Sequence, residues 1–133
     1  MTISASSIAI GTAISVTGGT ATGVISKGDS LNKHIVVLDD SSSFADQTTF
    51  TFNVKEPKVS ITAPAGYTQA RNSVVISRPL TLANGARTMN SVKIELAVDS
   101  ETTDAQRDAL RELAAQAIFD TDFDQYWNKQ AIS

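Results

Sequence analysis

No cysteine occurs in this chain of 133 residues, so a disulfide framework, a thiolate metal site and thiol chemistry are all excluded. The single histidine, His34, sits in a short β-branched stretch, where a structural or interface role is expected. Zinc clusters fail for want of ligands, and a Ser/His/Asp triad would have to be built on that one ring with no supporting motif. Asp120-Thr-Asp122-Phe-Asp124 opens like a calcium loop, but Gln125 replaces the turn glycine and Ala131 stands where a bidentate glutamate belongs. It reads instead as acids at a helix start. Gly18-Gly19 and Asn84-Gly85 lack the lysine and strand-to-helix setting of phosphate loops and read as turns. The expectation is no catalytic residue, no metal site and no cofactor.

Aromatics make up only 6%, which limits how firmly a lone core can be anchored. No segment approaches the roughly 18 apolar residues of a membrane-spanning helix. Met1 to Ser7 lacks the basic stretch and apolar run of a secretory leader. With 41% hydrophobic and 19% charged residues, the expectation is a soluble protein made in the cytoplasm, a single domain over 1–133.

The charges are segregated. Gln47 to Lys93 holds six basic residues (Lys55, Lys58, Arg71, Arg78, Arg87, Lys93) against Glu56 alone, while from Ile94 onward nine acids face Arg107, Arg111 and Lys129. The net charge is −3. Charge alone leaves open whether the basic segment holds a polyanion or merely solvates a face.

The order of elements is strands, then helices. Ile8, Ile10, Ile14 and Val16 alternate with small or polar residues, then Gly18-Gly19 turns the chain towards Val24-Ile25, which predicts an N-terminal hairpin within 1–30. Lys27-Gly-Asp-Ser reads as a turn, His34 to Leu38 as a strand, and Asp39 to Ser43 as a loop. In Thr49 to Lys55 the apolar set falls on Phe50, Phe52 and Val54, so Thr49, Thr51, Asn53 and Lys55 share the other face. Pro57 interrupts that strand, with Lys58 to Thr62 a candidate resumption. Arg71 to Arg78 and Ser91 to Val98 repeat the alternation, joined through Asn84-Gly85.

The last third is helical. Thr103 with Gln106 fits a capping box, and Leu110, Leu113, Ala114, Ala117 and Ile118 form one apolar stripe. A second helical segment between Phe119 and Ile132 carries Phe123, Tyr126 and Trp127. The expected class is α+β: a hairpin region (1–30), an antiparallel sheet of about five strands (31–98) and two C-terminal helices (99–133). The stripe of Leu110, Leu113 and Ile118, with Phe123 and Trp127, exceeds what one small sheet needs, which predicts an obligate dimer.

The segment from Arg87 through Ile118, with the strands Thr49 to Lys55 and Arg71 to Pro79, resembles the coat proteins of single-stranded RNA bacteriophages, the leviviruses. The resemblance covers roughly the C-terminal two thirds of the chain. It implies an interlocked homodimer that assembles into a T=3 icosahedral capsid, a virion protein made in the host bacterial cytoplasm. It further implies that the sheet faces inward, packages genomic RNA and captures a hairpin to repress translation. Carried over by position, the RNA-binding residues would be Thr49, Thr51, Asn53 and Lys55, then Arg71, Ser73 and Ser77, then Ser91 and Lys93, flanked by Val75 and Met89. Of these, Lys55, Arg71 and Lys93 would neutralise phosphate. The Ser/Thr/Gly-rich start also fits a fimbrial or tail-type β subunit that polymerises by strand exchange.

Overall fold

Alternation in four successive segments builds the main element of this protein, a five-stranded sheet in the order β1-β2-β3-β4-β5, every neighbouring pair antiparallel. The strands are β1 (Val24–Ser30), β2 (Lys33–Leu38), β3 (Thr49–Lys55), β4 (Ala70–Thr81) and β5 (Arg87–Val98). The computed structural model describes residues 7, 8, 19, 22–39 and 43–131. The first limb of the expected N-terminal hairpin, Ile10 to Val16, lies outside them. The chain divides into two compact units, Gly19–Glu101 with the sheet and Met1–Gly18 with Thr102–Ser133, which holds the helices.

Within the sheet unit, two expectations need correction. Lys27-Gly-Asp-Ser is not a turn: it continues β1, and the reversal falls on Leu31-Asn32. The strand tolerates Gly28 because a bulge between Ser26 and Gly28 absorbs one residue, with Gly28 at φ 151° where a side chain would be strained. Lys58 to Thr62 does not resume a strand; only Val59 bridges Tyr67, inside the loop 56–69. Beyond the segment read as a loop, Phe44–Asp46 forms a 3-10 helix capped by the Ser43 hydroxyl, which accepts from Ala45 N at 3.3 Å.

The two long strands outrun their expected ends. β4 continues through Pro79, which lies beyond the last β3–β4 pair, Thr49 with Ser77, so its missing N–H falls outside that ladder. The β4–β5 turn is the one Asn84-Gly85 predicts. Gly85 sits at φ 85°, Leu82 N donates to Ala86 O at 2.8 Å, and Asn84 Oδ1 accepts from Ala86 N at 2.9 Å. Among the described residues, Val37, Val98 and Thr48 are buried, Thr48 accepting from Arg78 Nε at 3.0 Å.

The helical unit follows its sequence closely. Helix α1 (Asp104–Phe119) starts at a complete capping box: Thr103 Oγ1 accepts from Gln106 N at 3.3 Å and Gln106 Oε1 from Thr103 N at 3.0 Å. Asp120 then caps a 3-10 helix, Thr121–Phe123, accepting from Asp122 N at 2.9 Å, which bears out its reading as a helix-start acid. Helix α2 (Asp124–Lys129) is tied back to α1 by Trp127 Nε1, which donates to Ala117 O at 2.8 Å. Thr103→Ala should lower stability by about 1 kcal/mol, because the Gln106 N–H loses the hydroxyl that accepts from it. Urea unfolding checks this, and Thr103→Ser is expected to keep most of the parent's stability.

Candidate nucleic-acid interface

Opposed residues in an antiparallel ladder point to the same face, so register alone assembles the site. Asn53, Ser73 and Glu95 lie opposite one another across β3, β4 and β5, and Lys33 of β2 adjoins Asn53. The next row is Ile35, Thr51, Val75 and Lys93, and the third is Val37, Thr49, Ser77 and Ser91. Lys55 opposes Arg71 at one end, and Met89 opposes Pro79 towards the other. All nine positions carried over from the sequence thus share one face. The face is not uniformly polar, because Ile35, Val37 and Val75 run through it.

Lys33 lies outside the strand that the sequence predicts from His34, yet it opens β2. Its signal was present: Lys33, Ile35 and Val37 alternate with His34 and Val36, the period of a strand. Lys33 and Lys93 stand three strand spacings apart, about 15 Å. That is roughly two Debye lengths at physiological salt, so the two charges act separately.

Several of the cations in the basic segment are already engaged. Arg71 donates through Nη1 to Glu95 Oε1 at 3.2 Å and through Nη2 to Gln69 Oε1 at 3.4 Å, both partly exposed. Such a surface pair contributes roughly 0–1 kcal/mol, yet it diverts part of Arg71's charge. Arg87 holds the 3-10 helix, donating to Ala45 O at 2.6 Å and to the Asp46 carboxylate. Arg78, opposite Asn90, belongs to the other face and bonds Thr48. Lys33, Lys55 and Lys93 form no ion pair among the described residues.

The opposite sheet face is apolar. Phe50, Phe52, Val74, Ile76, Val92 and Ile94 occupy it, the Phe50 and Phe52 rings stacked at 6.4 Å between centroids. Phe52, Val54, Val92 and Ile94 are exposed, although the strand pattern marks them for burial. On the helical unit the predicted interface residues behave alike: Leu110, Leu113, Ile118 and Trp127 are exposed, and Phe123 is half-buried. His34 lies on the apolar face opposite Phe52, its Nε2 3.1 Å from the Ser26 hydroxyl.

No protein-family model matches the sequence, and no curated protein matches it. Solved structures do. The protein of the virus-like particle of bacteriophage GQ-907 is similar with a TM-score of 0.87 and 29% identity, over 99% of this chain and 100% of that one. The virus-like particle of Beihai levi-like virus 32 gives a TM-score of 0.65 at 14% identity, over 84% of each chain. That of bacteriophage AVE019 gives 0.63 at 9%, over 84% of this chain and 88% of that one. The last two share the fold alone, whereas the first corresponds from end to end. The chain therefore carries the coat-protein fold of the levi-like bacteriophages, the fold of a capsid protein.

Proposed function

We propose that this protein pairs into an interlocked dimer and assembles into a closed icosahedral shell around single-stranded RNA, with the basic sheet face inward. The observation that carries this reading is the full-length similarity, TM-score 0.87, to the protein of the GQ-907 virus-like particle. The coat-protein fold points to a structural role rather than a catalytic one. T=3 geometry, the virion as its location, production in the host bacterial cytoplasm and repression through an RNA hairpin extend the same family resemblance. Electron microscopy of the protein expressed alone in bacteria tests the core of the proposal. Closed shells support it; filaments, as strand exchange would give, or soluble subunits alone would overturn it.

Two exposed apolar surfaces support the dimer: the sheet face of Phe52, Val54, Val92 and Ile94, and the helix stripe of Leu110, Leu113 and Ile118. Covering a leucine contributes about 1.5–3 kcal/mol, and 1.4 kcal/mol is about a factor of ten. Under non-assembling conditions sedimentation should show dimers, and the double substitution Leu110→Ala with Leu113→Ala should raise their dissociation constant at least about tenfold. A folded monomer at micromolar concentration would defeat the idea.

The cationic face supports RNA as the cargo, by charge rather than by base readout. Lys33, Lys55 and Lys93 each suit one phosphate, with Arg71 shared with Glu95. Replacing the three lysines by alanine should leave dimers folded and lower the slope of log affinity against log salt by about 2, at roughly 0.7 per phosphate contact on a single strand. Glu95→Gln should raise RNA affinity by releasing Arg71. Thr51, Asn53 and Ser73, short polar groups between the lysines, should instead alter preference among RNA hairpins. Unchanged RNA content in particles of the triple variant would show that this face is not the RNA surface.

A further inference from the structure

We propose that the end of the sheet bearing Leu31, Val59 and Ile61 is the contact through which one dimer meets a second copy of this chain from a neighbouring dimer. The proposal rests on the shell-forming reading above. Three segments converge at that end: the β1–β2 turn at Leu31-Asn32, the last residues of β3, and the loop 56–69. Val54 N donates to Asn32 O at 2.9 Å, and Lys33 pairs with Asn53, which joins the turn to β3. There Ile61 is 99% exposed, Leu31 92% and Val59 77%. One such residue on a surface calls for no explanation, but three from two separate segments that meet at one end of a sheet do.

The loop presenting this patch is braced by its own backbone. Thr68 N donates to Lys58 O at 2.7 Å, Lys58 N to Thr68 Oγ1 at 2.9 Å, Ser60 N to Gly66 O at 2.9 Å and Gly66 N to Ala63 O at 3.1 Å. Ile61 and Val59 are thus held outward by bonds in which their side chains take no part. A surface ordered before contact has less entropy to lose on binding.

Charge selects the occupant. Val59 to Ala70 contains no charged residue, in a chain whose net charge is −3. Copies of a negative chain repel, and an uncharged apolar stretch of loop lets them approach without adding to that penalty. Closed shells also demand it: a two-fold dimer uses up its self-complementary surface, so further contacts must come from a different patch. The apolar sheet face and the α1 stripe are assigned to pairing within the dimer, and Leu31, Val59 and Ile61 belong to neither.

The test is Ile61→Asp in the full chain, with dimers and shells counted by sedimentation and electron microscopy. Dimers are expected at the parent's level, with shells at least tenfold fewer at equal protein and salt, while Ile61→Leu retains them. Equal shell yield and equal resistance to salt in Ile61→Asp would overturn the proposal. Should Ile61→Asp yield no folded dimers, Ile61→Ser probes the same point with a neutral side chain. Loss of dimers in both would also overturn it, because the loop would then belong to subunit pairing. A parent chain that forms no shells refutes the shell-forming reading itself, a result distinct from a defect confined to the variants.

Discussion

Register in a single antiparallel meander is the constraint on which the other features of this protein depend. Side chains alternate with period two, so a slip of one residue in any ladder would carry lysines to the apolar face and phenylalanines to the polar one. The pairings that matter run without a break, from Thr49 with Ser77 to Lys55 with Arg71 between β3 and β4, and from Ala70 with Val98 to Thr81 with Arg87 between β4 and β5. The bulge between Ser26 and Gly28 lies in β1, at the edge of the sheet. There it twists an exposed edge without moving any residue of β3, β4 or β5.

On this scaffold the two kinds of cation are put to different uses. Arg71, Arg78 and Arg87 all donate to groups within the fold: Glu95 and Gln69, Thr48, and the 3-10 helix. A guanidinium presents several donors in a rigid fork and so can brace two groups at once. Lys33, Lys55 and Lys93 carry a compact charge on a flexible stem, suited to a phosphate whose position varies along a polymer. A count of charge along the sequence cannot separate these uses. The basic surplus between Gln47 and Lys93 therefore overstates what is left for a ligand, while omitting Lys33 because it lies upstream of the segment.

Much of the fold was legible because local preference and tertiary pairing agree. Thr49 to Lys55 alternates cleanly between faces, Asn84-Gly85 can adopt the backbone its turn needs, and the Thr103–Gln106 box depends only on residues three apart. The illegible parts are those where long-range pairing overrides local signal. Lys27-Gly-Asp-Ser carries three turn-forming residue types in a row, yet pairing with β2 draws it into a strand, at the cost of a bulge. The 3-10 helix at Phe44–Asp46 has a weak local pattern and is held by Arg87, 41 residues away from Asp46. The Arg71–Glu95 pair, 24 residues apart, exists only once β4 and β5 are in register. The face of the candidate site was thus readable residue by residue, but its available charge was not.

On the proposed reading, association and cargo binding rest on chemically opposite surfaces. Subunit contacts are apolar: the sheet face around Phe52 and Ile94, the α1 stripe, and the uncharged loop stretch around Ile61. Apolar association is little weakened by simple salt and is strengthened by sulfate or phosphate. Contacts from Lys33, Lys55 and Lys93 to a polyanion weaken steeply as salt rises, because each releases condensed counterions. The net charge of −3 works in the same direction, since screening relieves repulsion between copies. Rising ionic strength thus pulls the two functions apart, loosening RNA while leaving the subunits joined. At low ionic strength the balance reverses: the polyanion draws the lysine faces of many subunits together and offsets the repulsion that would hold those subunits apart.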